Sequence, residues 1–131
     1  MLFRSGTHPH VIQPIDRIRN SDGRDMIVYY SLGYYACWTG SKGKGVADRV
    51  VGGMAGVNIV RNGSGDVVIK DYGITPLVCH LSYDKNQVSV YKLDDYPDRL
   101  AGSNEIIKQD TNFSRQYCIG LCEEIWGDNI R

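Results

Sequence analysis

The sequence predicts an α+β fold in which a mainly antiparallel β-sheet is followed by a C-terminal amphipathic helix. In the middle of the chain, runs rich in valine, isoleucine and tyrosine alternate with short clusters of Gly, Asn, Asp and Ser, which is the pattern of strands joined by turns. Near the end, apolar residues recur every four positions from Phe113 to Ile125, as in a helix that buries one face. At 131 residues the chain is long enough for one core, so we expect a single domain over residues 1–131.

Charge and hydropathy argue against two classes of partner. Fifteen basic and fifteen acidic side chains give a formal net charge of zero, with a pI near 6.8. A nucleic-acid-binding surface normally needs an excess of basic residues, so no nucleic acid is expected. The apolar runs are far shorter than the roughly 18 residues that cross a bilayer, so no membrane segment is expected either.

Strand and loop signals follow in order along the first half of the chain. The apolar start before Arg4 and the punctuation by Gly6, Pro9 and Pro14 predict a strand end followed by a loop. The continuous apolar run at residues 26–30 predicts a strand buried on both faces. Residues 40–53 contain five glycines and three basic side chains, so we expect a mobile surface loop there.

Two antiparallel pairs are predicted next. Alternating apolar residues flank a glycine-rich turn, and a second pair of β-prone runs follows it. The first pair is residues 53–61 and 67–72 around the turn at 62–66, and the second is residues 74–81 and 87–92.

The last third of the chain predicts two helices. A short one at residues 98–103 ends near Gly102, and a longer one begins with Thr111 or Asn112 as its N-cap.

The four cysteines form no CxxC pair, and we interpret them as buried thiols; they are Cys37, Cys79, Cys118 and Cys122. Because Cys118 and Cys122 are four residues apart on the predicted helix, a disulfide or half of a metal site stays open for them.

The candidate site is the loop that carries His8 and His10. A flexible Gly6 precedes the pair and Pro9 separates it, so both imidazoles can face one cation. The alternative is a pair of loop histidines that only hydrogen-bond locally. Two imidazoles cannot fill the four or more positions of a catalytic divalent metal.

Other polar residues near this loop are weaker candidates. Gln13 is a candidate for positioning substrate or a water, or for hydrogen-bonding the loop backbone, and Ser31 is a candidate of the same supporting kind. His80, the third histidine, falls on a predicted strand and is interpreted as structural.

Two motifs carry a resemblance to a known family. Gly-Thr-His-Pro-His-Val-Ile-Gln-Pro at residues 6–14 and Tyr-Tyr-Ser-Leu-Gly at 29–33 resemble the C-terminal part of the CapA family of bacterial capsule and poly-γ-glutamate biosynthesis proteins. That family is similar to the calcineurin-like metallophosphoesterases, whose α/β sandwich holds two metal ions, so this chain is expected to form the C-terminal part of such a sandwich.

The resemblance implies roles for particular residues. In the full-length family, His8 and His10 would be ligands of a divalent metal, Mn, Fe or Zn, while the aspartates, the asparagine and the earlier histidine would come from sequence before residue 1. Without those ligands, this fragment alone is not expected to bind a metal tightly. The chain departs from the family pattern at Tyr34, where the family usually has asparagine.

The function implied is that of a C-terminal CapA fragment supplying a metal-binding loop. The fragment alone is expected to be inactive, and the full-length homologue would be a metal-dependent phosphoesterase-like hydrolase. The alternative is a non-catalytic binding or assembly module derived from that fold.

Partners and location follow from the same resemblance. A lone C-terminal portion is expected to expose a sheet edge and the apolar run at 26–30, and hence to form a homo-oligomer; the capsule-synthesis machinery is a further candidate partner. Family members are often membrane-anchored and face outward, whereas four cysteines without a disulfide framework suit a reducing compartment. The location therefore stays open.

Overall fold

Six β-strands form two three-stranded sheets in the computed structural model, which describes residues 3–131. The first sheet has the order β1-β3-β2, with β1 parallel to β3 and β2 antiparallel to it. Its strands are β1 (Phe3–Ser5), β2 (Ile15–Arg19) and β3 (Asp25–Tyr29). The second sheet is antiparallel, with the order β4-β5-β6. Its strands are β4 (Val51–Arg61), β5 (Val67–Ser82) and β6 (Gln87–Lys92).

The prediction of mainly antiparallel strands followed by a C-terminal helix is confirmed, with the strands divided between two sheets. The turn at residues 62–66 joins β4 to β5, and the Asn62 side chain holds it by accepting the N–H groups of Ser64 and Asp66. The predicted strands 67–72 and 74–81 are one continuous strand. Gly73 lies opposite Gly56 in β4, and the pairing of β5 with β4 continues through it.

The prediction of a mobile surface loop over residues 40–53 was wrong for residues 46–53, whereas residues 40–45 lie outside helices and strands. A short 3₁₀ helix, Val46–Val50, buries Val46, Ala47 and Val50, and β4 begins directly after it. The buried carboxylate of Asp110 accepts the backbone N–H groups of Gly45 and Ala47, at 2.8 and 3.2 Å. This acceptor, far away in sequence, orders a segment whose own composition indicated a surface loop.

The centre of the apolar run at residues 26–30 is covered, contrary to the expectation that the run would be exposed, whereas Tyr30 is exposed as expected. Ile27, Val28 and Tyr29 are all buried, as predicted for a strand with two buried faces. The Tyr29 hydroxyl also donates to the carbonyl of Gly73 at 3.0 Å, which ties the first sheet to the second.

The C-terminal helix lies against the sheets, and it begins later in the chain than the sequence predicted. After α1 (Asp98–Ala101) and a 3₁₀ helix, Glu105–Lys108, the long helix α2 (Arg115–Trp126) buries Cys118, Cys122 and Trp126. Its N-cap is Ser114, because the predicted cap Asn112 instead donates to the Asp110 carboxylate. All four cysteines are buried and free, as predicted.

Candidate metal-binding loop

Both ends of the loop between β1 and β2 are hydrogen-bonded to the segment that follows β3. Gly6 donates to the carbonyl of Tyr29 at 3.0 Å and accepts from Leu32 at 2.9 Å. At the other end, the Gln13 N–H donates to the carbonyl of Ser31 at 3.0 Å. These bonds hold the base of the loop on the first sheet, so its tip projects from a fixed frame.

Gly6 is required by this arrangement. A Cβ at this position would lie 2.7 Å from the carbonyl oxygen of Tyr30, closer than real Cβ contacts allow. The loop then turns over residues 7–10, where the N–H of His10 donates to the carbonyl of Thr7 at 3.0 Å. His8, Pro9 and His10 form its exposed tip.

The two imidazoles lie close enough to share one cation. Their ring centres are 5.8 Å apart and the ring planes are tilted by 51°. A cation about 2.1 Å from one nitrogen of each ring would lie about 3.2 Å from each ring centre, and at a tetrahedral angle the centres would be about 5.2 Å apart. The observed separation differs by only about half an ångström. The separation of the two rings therefore suits two donors to one metal.

Within residues 3–131, the pair stands without further ligands. No group of three or more His, Cys, Asp or Glu side chains that could hold a metal is present there. In that part of the chain, the close ring contacts of the pair are with each other and with Tyr34. The geometry leaves two available donors and an incomplete coordination shell.

His10 makes one close ring contact, which sequence reasoning did not predict. Its imidazole stacks on the phenol ring of Tyr34, with ring centres 4.4 Å apart and planes within 4° of parallel. No local sequence signal indicates the stack, because it depends on how the segment after Gly33 returns past the loop.

The two supporting candidates contribute to the frame of the loop. Ser31 is buried, and its hydroxyl accepts the N–H of Gly33 at 3.2 Å. The carbonyl of Gln13 accepts the indole N–H of Trp126 at 2.9 Å, which connects α2 to the end of the loop. The side chain of Gln13 is half-buried.

His80 belongs to a buried network in the core, in agreement with the structural role predicted for it. Its Nδ1 lies 2.8 Å from the hydroxyl of Tyr96. Burial lowers the pKa of His80, and the nearby charge of Lys85 lowers it further. The neutral imidazole is thus favoured inside the fold.

The Cys118 and Cys122 thiols are poor candidates for half of a metal site. Burial is the main cause that raises the pKa of each to about 12. Metal binding by cysteine needs the thiolate, which this environment disfavours. We therefore retain only the two loop histidines as candidate ligands.

Comparison of the chain with protein-family models, with curated proteins and with solved structures gives no significant match. In the described part of the chain, no helix has both the length and the apolar character needed to cross a membrane.

Proposed function

We propose that this chain is the C-terminal portion of a CapA-like protein of capsule or poly-γ-glutamate biosynthesis, and that its loop supplies His8 and His10 as metal ligands. One observation carries the proposal: two exposed imidazoles, 5.8 Å apart, project from a loop whose two ends are anchored. The Gly-x-His-x-His pattern of that loop supports the family resemblance. The two sheets and the helix α2 would then form part of a metallophosphoesterase-like sandwich.

The chemistry proposed for this site is phosphoester hydrolysis assisted by a divalent metal. When bound, such a metal polarises a phosphoryl oxygen and activates a water molecule. In this chain, His8 and His10 would each donate one ring nitrogen, and the anchored loop would keep the two nitrogens at a fixed separation. Since residues 3–131 hold no third ligand beside the pair, the other ligands must come from outside that part of the chain. The chain alone is therefore not expected to hydrolyse phosphoesters.

A second candidate is a non-catalytic assembly module, favoured by the open edge of β6. This strand ends its sheet in the described part of the chain, and Lys92 is its only charged residue. By contrast, β2, an edge strand of the first sheet, carries Asp16, Arg17 and Arg19, which discourage strand pairing. We propose that copies of the chain associate through β6, and that the capsule-synthesis machinery is the larger partner.

The test of metal ligation is a zinc titration followed by NMR of the histidine rings. The chain has only three histidines, so each ring can be assigned and His80 serves as an internal control. We expect zinc to shift the ring signals of His8 and His10 together and to leave those of His80 in place. Calorimetry should give binding that is lost in the His8→Ala/His10→Ala double variant.

The matched control is Asp16→Asn, which removes an exposed carboxylate on β2 shortly after the loop. Its zinc affinity should equal that of the wild type. The proposal is wrong if the double variant binds zinc as tightly as the wild type, or if zinc shifts neither loop histidine.

A further inference from the structure

The backbone of His10 aims its ring at Tyr34. His10 has φ of 62°, in the left-handed region that residues other than glycine seldom adopt. The turn bond from its N–H to Thr7 holds the backbone there. From this conformation the imidazole lies flat against the phenol ring, 4.4 Å from centre to centre. An uncommon backbone conformation is therefore coupled to a specific ring contact.

Tyr34 belongs to the sheet framework and not to the loop. Gly33 and Gly52 form a β-bridge directly beside it. The chains approach so closely that a Cβ on Gly52 would lie 2.2 Å from the carbonyl oxygen of Tyr34, and one on Gly33 would lie 2.6 Å from that of Val51. Gly33 also has φ of 69°, which suits glycine. The backbone of Tyr34 is thus held by the start of β4, in addition to the bonds that join the preceding residues to the ends of the loop.

Stacking restricts the orientation of the imidazole plane, and this orientation matters for metal binding. The nitrogen lone pairs of imidazole lie in the ring plane, so a ring fixed in its plane directs them along a fixed edge. A histidine ligand usually gains this fixation by donating its second N–H to a carboxylate or carbonyl. Among residues 3–131, neither ring nitrogen of His10 has such a partner, and the flat contact with Tyr34 takes its place.

His8 lacks a comparable support. Its only ring contact in the described part of the chain is the tilted one with His10, and it is exposed. The two histidines therefore differ: the His10 ring is held before a metal arrives, whereas the His8 ring can adjust to it.

We propose that Tyr34 is a positioning residue for His10, holding its imidazole ready for a divalent cation. This inference rests on the proposed role of the loop histidines as ligands. An imidazole bound to a cation is electron-poor, and the electron-rich phenol face attracts it more strongly than the free ring. The stack therefore strengthens as the metal binds, and Tyr34 contributes to affinity without touching the metal.

The experiment compares Tyr34→Phe with Tyr34→Leu in the same zinc titration. Phenylalanine keeps the flat ring, whereas leucine keeps apolar bulk without it. We expect Tyr34→Phe to bind zinc within about twofold of the wild type and Tyr34→Leu to bind about 3- to 10-fold more weakly, as loss of an aromatic pair implies. Without zinc, the ring current of residue 34 should move the His10 ring signals upfield in the wild type and Tyr34→Phe, but not in Tyr34→Leu.

Two results would overturn the positioning role. In the first, Tyr34→Leu has a lower unfolding midpoint but unchanged zinc affinity when folded, which means that Tyr34 only stabilises the fold. In the second, the metal-free His10 signals are the same in all three proteins, which means that no stack forms in solution. Failure of the ligand proposal looks different, because zinc would then leave the His8 and His10 signals in place in the wild type while the upfield shift of His10 persists.

Discussion

Replacing Asn104 by alanine should greatly reduce the stability of the fold. Asn104 is 2% exposed, and its side chain makes four hydrogen bonds. Its oxygen accepts the N–H groups of Leu81 and Ile106 at 3.2 and 3.1 Å. Its amide nitrogen donates to the carbonyl of Cys79 at 3.0 Å and to the hydroxyl of Tyr96 at 3.1 Å. One side chain thus connects β5 to the 3₁₀ helix Glu105–Lys108 and to Tyr96.

The expected loss follows from the groups that alanine would leave without a partner. The Leu81 N–H and the Cys79 carbonyl lie on a buried stretch of β5, and the Ile106 N–H belongs to a fully buried residue, so water cannot replace the amide. Each unsatisfied buried group costs about 1–3 kcal/mol, so the loss of three partners should lower the free energy of unfolding by about 3–9 kcal/mol. Tyr96 is affected less, because its hydroxyl keeps the contact with His80.

Urea unfolding followed by tryptophan fluorescence measures this change. A loss of about 3 kcal/mol moves the midpoint by about 1–3 M urea at constant slope. The matched control is Asn58→Ala, an exposed amide on β4, which should change stability by less than about 0.5 kcal/mol. A loss below about 1 kcal/mol for Asn104→Ala would refute the reasoning that the network depends on this amide.

Two further predictions concern the stability of the fold at low pH and self-association of the chain. Burial alone would raise the pKa of Asp110, but hydrogen bonds from the backbone of Asn112, Ala47 and Gly45 and from the Asn112 amide outweigh it and leave the pKa below its ordinary value. A lowered folded-state pKa gives stability that is present above the unfolded-state pKa and lost as pH falls through the folded one, so the wild type should lose stability below roughly pH 4. Asp110→Asn should be less stable at pH 7 and lose less on acidification, and equal acid sensitivity in urea unfolding at pH 3–7 would contradict this. For self-association through β6, light scattering over a dilution series should detect a dimer or larger species, and a clean monomer at high concentration would argue against it.

Most of the strands could be predicted because the signals for strands and turns lie in neighbouring residues of the sequence. The turn at residues 62–66 is held by the side chain of its own Asn62, so composition was sufficient to find it. The helix Val46–Val50 was missed because its first N–H groups find their acceptor in Asp110. The same carboxylate binds Asn112 and moves the helix cap to Ser114. One buried acid, whose partners are distant in sequence, thus accounts for both errors.

The candidate site, too, could be predicted from the sequence only in part. The spacing of His8 and His10 around Pro9 was visible in the sequence and predicted two donors on one loop. The stack of Tyr34 on His10 was not, because it requires the close approach of Gly33 and Gly52 that only the folded chain contains. Motif spacing identifies candidate ligands, whereas the contact that orients one of them depends on tertiary structure.

The bond from the Trp126 indole to the Gln13 carbonyl bears on the order in which the protein is made. The two residues are 113 positions apart, so during synthesis the loop emerges long before the helix that braces its far end. The β1–β2 region has its hydrogen bonds to β3 early, but it gains this last support only when α2 folds onto the sheets. A ribosome stalled before α2 would therefore carry the histidine loop in a less restrained state than the finished chain.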